Sequence, residues 1–279
     1  MFKRAFRSQQ DQNRVDKSSR LKKPGSSKDK AKEHVKAKNI NITPSPIVTL
    51  TVGREGRLFA AHEDVLSQSP FFEAACGKDS SADAMSKRIS LPDEEPEIFS
   101  AVLEYLYKGD YYPRLVHNRH RNSWELEDRM RTPQKSSPNP DNGGGHAGTG
   151  GSDAAVYLSS VGAEVLRDTV IYCAADRYGL EELKRLALRK QGLHAGIDVG
   201  TILRSAQYAY ANTPDSDSRL RAHYLALIIR CRKTFKRSGT MQAEMEAGGS
   251  KLFFDLFVAM CNHLDDVIDV TNNRSPKTV

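Results

Sequence analysis

The chain has 279 residues, a hydrophobic share of 38% and 42 Lys and Arg against 35 Asp and Glu, for a formal net charge of +7. That length holds one large or two small domains, and the lowish apolar share leaves part of it without a packed core. Residues 1–46 carry 13 basic and 4 acidic side chains, which leaves 29 against 31 elsewhere, so the basic excess belongs to a tail and a basic surface over the whole molecule is excluded.

The tail is Lys, Arg, Ser, Gln and Asp with few large apolar groups. Such a composition buries too little surface to offset the entropy of ordering, so residues 1–46 read as disordered. Two functional readings stand beside that one. Arg20 to Lys38 has the composition of a nuclear-import or polyanion-binding patch, and Met1 to Arg7 that of a mitochondrial presequence, although Asp11 and Asp16 interrupt it. Next, Val48, Leu50 and Val52 alternate with Thr49 and Thr51, Gly53-Arg54-Glu55-Gly56 turns the chain, and Arg57 to His62 returns, which predicts a hairpin. Two short helices follow, the second with Ser69 as N-cap, Pro70 in its first turn, Phe71, Phe72 and Ala75 inward and Gly77 as its left-handed end. Lys87 to Leu91 predicts a short strand stopped by Pro92. Asp93, Glu94 and Glu95 then favour the start of a helix in which Ile98, Phe99, Val102, Leu103 and Leu106 form the apolar stripe and Gly109 the stop.

The blocks Ala60-Ala61-His62 through Leu66, Ser69-Pro70-Phe71-Phe72, Ile89-Ser90-Leu91-Pro92, and Phe99 through Leu103-Glu104-Tyr105-Leu106-Tyr107-Lys108-Gly109, in this order and spacing, resemble a BTB/POZ domain. The resemblance implies an α+β fold, a short mixed β-sheet with surrounding α-helices, in which His62, Ser69, Phe71, Phe72, Gly109 and Gly179 are structural. It further implies a protein-interaction module. In related adaptors the cullin face is the segment after the third strand and the helix it starts, which by position gives Glu94, Glu95, Glu97, Tyr105 and Tyr107, with Tyr111 nearby. The plainer reading of the same residues is that the acids cap the helix and the tyrosines fill its margin. Ser45-Pro46-Ile47 stands where many animal members place an Asp, so both a homodimer and a monomer are open.

From Pro113 to Asp153 the pattern dissolves into Pro133, Pro138, Pro140 and glycines from Gly143 to Gly151, which predicts a flexible insertion. Its glycines lack the Gly-Lys-Ser/Thr ending of a phosphate loop, and His117 and His120 lack companion metal ligands. Ser123 to Met130, with the single tryptophan, Trp124, reads either as a short docking helix or as a loop with an exposed indole. Val165, Leu166, Val170, Ile171 and Ala174 then predict a helix, Gly179 a break and Glu181 to Ala187 a second helix; Ala174 to Ala187 again resembles the BTB fold, so the insertion interrupts the domain.

Three further amphipathic helices follow: Val199 to Tyr210, Leu220 to Phe235 and Leu252 to Leu264, with Asp198 and Asp217 as N-caps of the first two. This region resembles the helical extension of filamentous-fungal BTB proteins. Phe253, Phe254 and Phe257 read as core, with an exposed partner groove as the alternative. The expected layout is a disordered basic tail (1–46), a first BTB part (47–112), the Pro/Gly-rich insertion (113–153), completing helices (154–192), a helical extension (193–270) and a disordered end (271–279).

Cys76, Cys173, Cys231 and Cys261 lie far apart in or beside apolar runs and read as small core residues. No signal peptide and no apolar run near the ~18 residues of a membrane span is visible, so the expected location is intracellular, cytoplasm or nucleus, where the Asn41-Ile42-Thr43 sequon is not glycosylated. No nucleophile or metal with a base in reach can be assembled, so neither an enzyme nor a cofactor is expected. The expected partners are proteins: a second copy, a cullin scaffold in a ubiquitination adaptor, and a further partner held by the C-terminal helices or the flexible segments. The alternative is a nuclear, nucleic-acid-associated factor acting through the tail, in salt-sensitive and sequence-blind fashion.

Overall fold

The structure, a computed structural model, describes residues 45–78, 87–127 and 154–274. The readings of the tail up to residue 44, of the glycine run and of the last five residues lie outside the described residues.

Strand β1 (Ile47–Val52) pairs antiparallel with β2 (Arg57–His62) and parallel with β3 (Arg88–Leu91), in the order β2-β1-β3. The strand alternation fixes which face is buried: Val48, Leu50 and Val52 are fully covered while Thr49 and Thr51 are half-exposed. Helices α1 (Glu63–Leu66) and α2 (Pro70–Lys78) lead from β2 toward β3, and α3 (Pro96–Lys108) leads away from it. α3 buries Ile98, Phe99, Val102 and Leu106 and ends at Gly109, which takes the left-handed conformation (φ 72°) as its N–H bonds Tyr105 O.

Several local expectations are corrected. Gly77 lies inside α2 and does not end it. Phe72 is buried, but Phe71 is 42% exposed, its ring resting edge-on against Phe72 and beside Tyr178. Where a flexible insertion was expected, with either a short helix or a loop with an exposed indole at Ser123, β4 (Leu115–Asn118) and β5 (Ser123–Leu126) form a hairpin, with Asn122 at positive φ in the turn. Trp124 lies on β5, half-exposed, its ring against His117 and under the Arg189 guanidinium. A second unexpected hairpin, β6 (Ala155–Leu158) and β7 (Ala163–Leu166), turns at Gly162 and takes Val165 and Leu166 out of the helix predicted for them. Their burial in strand form is stabilised across the domain, since Leu166 N–H donates to Ser205 Oγ.

Helices α4 (Arg167–Arg177) and α5 (Glu181–Gln191) complete the core. α4 has no polar stripe: residues 168–175 are all buried, because α3, α5 and the next helix enclose it. The extension comprises α6 (Val199–Asn212), α7 (Arg219–Arg230), the single turn α8 (Arg232–Phe235), α9 (Gly239–Ala247) and α10 (Leu252–Arg274), two more elements than the sequence suggested. Asp198 caps α6 through Thr201 N–H, whereas Ser218 stands at the N-cap position of α7 without a side-chain capping bond, and Asp217 accepts from Arg219 N–H as well as from Tyr172 and Lys184. One apolar cluster runs from the sheet through α4 to Leu256. The core reading fails on the far side of α10, where Phe254 and Phe257 are exposed. Cys76 and Cys173 are buried, but Cys231 and Cys261 are only half so.

Candidate protein-interaction site

The six residues nominated for docking do not share one surface. Glu94 follows β3 in the turn before α3, and its side chain is turned inward. Its carboxylate accepts from the buried Tyr178 hydroxyl at 2.6 Å and from Arg177 at 2.8 Å. The reading of Glu94 as a contact residue is therefore corrected: it ties the β3–α3 turn to the end of α4. Burial, and then the Glu94 carboxylate, hold the Tyr178 phenol above its ordinary range. Burial opposes the Arg177 charge, but Glu94 outweighs it and raises the guanidinium. Tyr111 is likewise withdrawn from the surface. It is fully buried, donates to Asp168 Oδ1 at 2.7 Å, and carries Lys190 Nζ over its ring at 3.5 Å.

Tyr105 and Tyr107 flank the outer ridge of α3 on opposite sides, as a two-residue step on a helix requires. Tyr105 is half-buried toward α5, and burial together with Glu182 raises its phenol. Tyr107 faces β2, where its Oη accepts the His62 N–H at 3.0 Å and lies 2.7 Å from His62 Nδ1. His62 thus bonds a phenol, and locks the end of β2 to the last turn of α3. Ser69 Oγ donates to Tyr178 O at 2.6 Å, joining α2 to α4. Gly179, with φ 69°, packs directly over Pro70.

Glu95 and Glu97 remain on the surface, half-exposed and exposed. A cleft of about 770 Å³ opens beside them. Its walls are Ser90 to Glu95, Phe71 and Tyr178 on one side, Leu158, Ser160 and Val161 of the β6–β7 hairpin, and Arg204, Gln207 and Tyr208 of α6. Two smaller clefts adjoin: one of about 370 Å³ between Gly53 to Glu55 and Asp93 to Pro96, and one of about 300 Å³ lined by Glu55, Arg57, Glu97 and Tyr157. Glu95 borders all three. The arrangement is an apolar trough with charges of both signs at its edge, suited to an extended or helical segment of another protein. The hairpin residues Tyr157 and Val161 and the α6 residues Arg204 and Tyr208 were missed from sequence. The signal in Ala155-Val156-Tyr157-Leu158 is a four-residue apolar run with Val and Tyr ahead of Gly162, too short to show a period.

The nearest approach to a catalytic constellation is Tyr111, Asp168 and His194, with His194 Nε2 2.7 Å from Asp168 Oδ2. Burial and Asp168 push the Tyr111 phenol well up, and the cluster ties α3's exit to α4 and to the α5–α6 link. Among the described residues no group of His, Cys, Asp and Glu is placed to hold a metal ion, and no helix is long and apolar enough to cross a membrane.

With a β2-β1-β3 sheet, the α1–α2 connection and α3 ending at a left-handed glycine in place, residues 48–122 also match the family model described as BTB/POZ domain. The chain carries a BTB/POZ domain. The match runs from β1 through the β4–β5 turn, so the cleft joins BTB residues to helices beyond the matched segment. BTB/POZ domains are protein–protein interaction modules and are generally without catalytic activity. No curated protein matches the chain.

Proposed function

We propose that the protein is an adaptor whose BTB/POZ domain docks a scaffold of the cullin class in a ubiquitination complex, while the helical extension takes a further partner. The observation that supports this reading most directly is the trough bordered by Glu95 on its BTB side and by α6 on the other, with exposed Glu97 and Tyr157 beside it. A segment lying there would meet apolar side chains along its length and acids at one end, the combination of buried core and charged rim found in specific interfaces. Rim charges act mainly on encounter rate and its salt dependence.

The test is a binding measurement between the purified chain and a cullin N-terminal region, comparing wild type with a variant carrying Glu95→Lys and Glu97→Lys. The expected result is association by the wild type and about a tenfold slower on-rate for the variant at low salt, with the difference shrinking as salt rises. Absence of binding by the wild type, or equal rates at all salt concentrations, would falsify the assignment.

A further inference from the structure

Helix α10 carries an apolar face that the fold leaves uncovered. Its first turns are anchored: Leu252 and Leu256 are buried, and Tyr210 donates to Asp255 at 2.9 Å. Beyond Leu256 the helix continues to Arg274, about 27 Å at the usual rise, without another buried large side chain among the described residues. Phe254 and Phe257 are 70% and 66% exposed, and Leu264 and Ile268 are more than half exposed. Val258, Val267, Ile268, Val270 and Thr271 are also β-branched, weak helix formers, so this segment draws little stability from propensity and needs a packed face.

The spacing of that face identifies what it fits. Phe254, Phe257, Cys261, Leu264 and Ile268 are separated by three, four, three and four residues, the two seam positions of a heptad, and Met260 and Val267 widen the seam on one flank. Charge narrows the occupant. Asp255, Asp265, Asp266 and Asp269 stand off the seam and Arg274 is the helix's one Lys or Arg, so the helix repels phosphate, whether of a membrane or of a nucleic acid. The same acids occupy neither seam positions nor the Met260–Val267 flank. Two identical helices can therefore meet without placing like charges opposite one another. The exposed apolar side chains amount to on the order of 600 Å² per helix, and pairing two copies removes about twice that, the size at which specific interfaces begin.

We propose that α10 pairs with α10 of a second copy as a two-stranded coiled coil, which makes the extension a self-association surface independent of the cleft. Light scattering of the full chain under reducing conditions tests this, comparing wild type with Leu264→Asp plus Ile268→Asp. Both side chains are exposed and lie past the last buried residue of α10, so the variant should keep the wild-type fold by circular dichroism. The expected result is a dimer for the wild type, and for the variant a monomer with association about a hundredfold weaker, since two charges per helix enter the seam. If that variant misfolds, deletion of residues 262–279 removes the Leu264–Ile268 half of the seam while leaving the Leu252–Leu256 anchor, and must give the same monomer. A wild type that is monomeric at high micromolar concentration overturns the proposal, as does a folded variant that remains dimeric.

Discussion

Replacing Glu94 with Ala removes the one acceptor that Tyr178 and Arg177 share. The two partners lose unequal amounts. Tyr178 is buried, so its hydroxyl forfeits a charge-assisted bond with no water to replace it, a loss of about 1.5–3 kcal/mol. The Arg177 side chain is 43% exposed and can be rehydrated, so its pair contributes no more than about 1 kcal/mol. The expected cost is about 3 kcal/mol, equivalent to a melting shift of about 6–12 °C in a unit of this size. Glu94→Gln keeps an oxygen for Tyr178 and gives up the charge, so its cost should be about half. Urea unfolding followed by circular dichroism measures both, and a double-mutant cycle with Tyr178→Phe should return a coupling of about 1.5 kcal/mol or more. An exposed docking residue would behave differently, with binding reduced and the urea midpoint unmoved. A loss below about 0.5 kcal/mol for Glu94→Ala would refute the assignment of Glu94 to the core.

Three further outcomes can be measured on the same protein. Gly179→Ala forces a side chain into φ 69° and sets its Cβ 3.2 Å from Pro70, whereas Gly109→Ala meets the same backbone penalty at φ 72° with open space around it. The second should therefore cost about 1–2 kcal/mol and the first clearly more, and equal midpoints would show that the Pro70 contact carries no strain. Burial alone would raise the Asp217 carboxyl, but hydrogen bonds from Lys184 and Tyr172 hold it below its usual value. A depressed folded value means stability that is complete above about pH 4 and lost as pH falls through the folded value. Asp217→Asn should flatten the fall in urea midpoint below pH 4, and an unchanged acid slope would count against the pairing. Burial pushes the Cys173 thiol up to about 12, leaving almost no thiolate at neutral pH. Maleimide should label half-buried Cys261 in the native protein and reach Cys173 only on unfolding, so equal rates for the two would contradict the burial.

The parts of the fold visible from sequence are those with short-range causes. Val48, Leu50 and Val52 alternate, Gly53 to Gly56 turn the chain, Gly109 stops α3, and Asp198 caps α6 through a residue three positions away. The hairpins at Leu115–Leu126 and Ala155–Leu166 were not read, because each contributes two strands of only four residues, too short for periodicity to separate them from loop or helix. The candidate site was legible as a segment, the β3–α3 turn and the helix after it, and not as a set of side chains. The six nominated residues divide between surface and interior according to partners that lie far along the chain.

The sequence by itself determined that a BTB domain is present, which strand face is apolar, that Gly109 and Gly179 end helices, and that the basic excess belongs to a tail. Tertiary structure alone decided that Glu94 turns inward to Tyr178, 84 residues away, that Tyr111 sinks beneath Lys190, and that the face of α10 beyond Leu256 stays bare. The physical reason is common to all three. Periodicity states that a face is apolar and capping states where a helix begins, both within a few residues. Whether a given polar or apolar side chain is covered depends on which distant element arrives beside it, and that is settled only when the chain has packed.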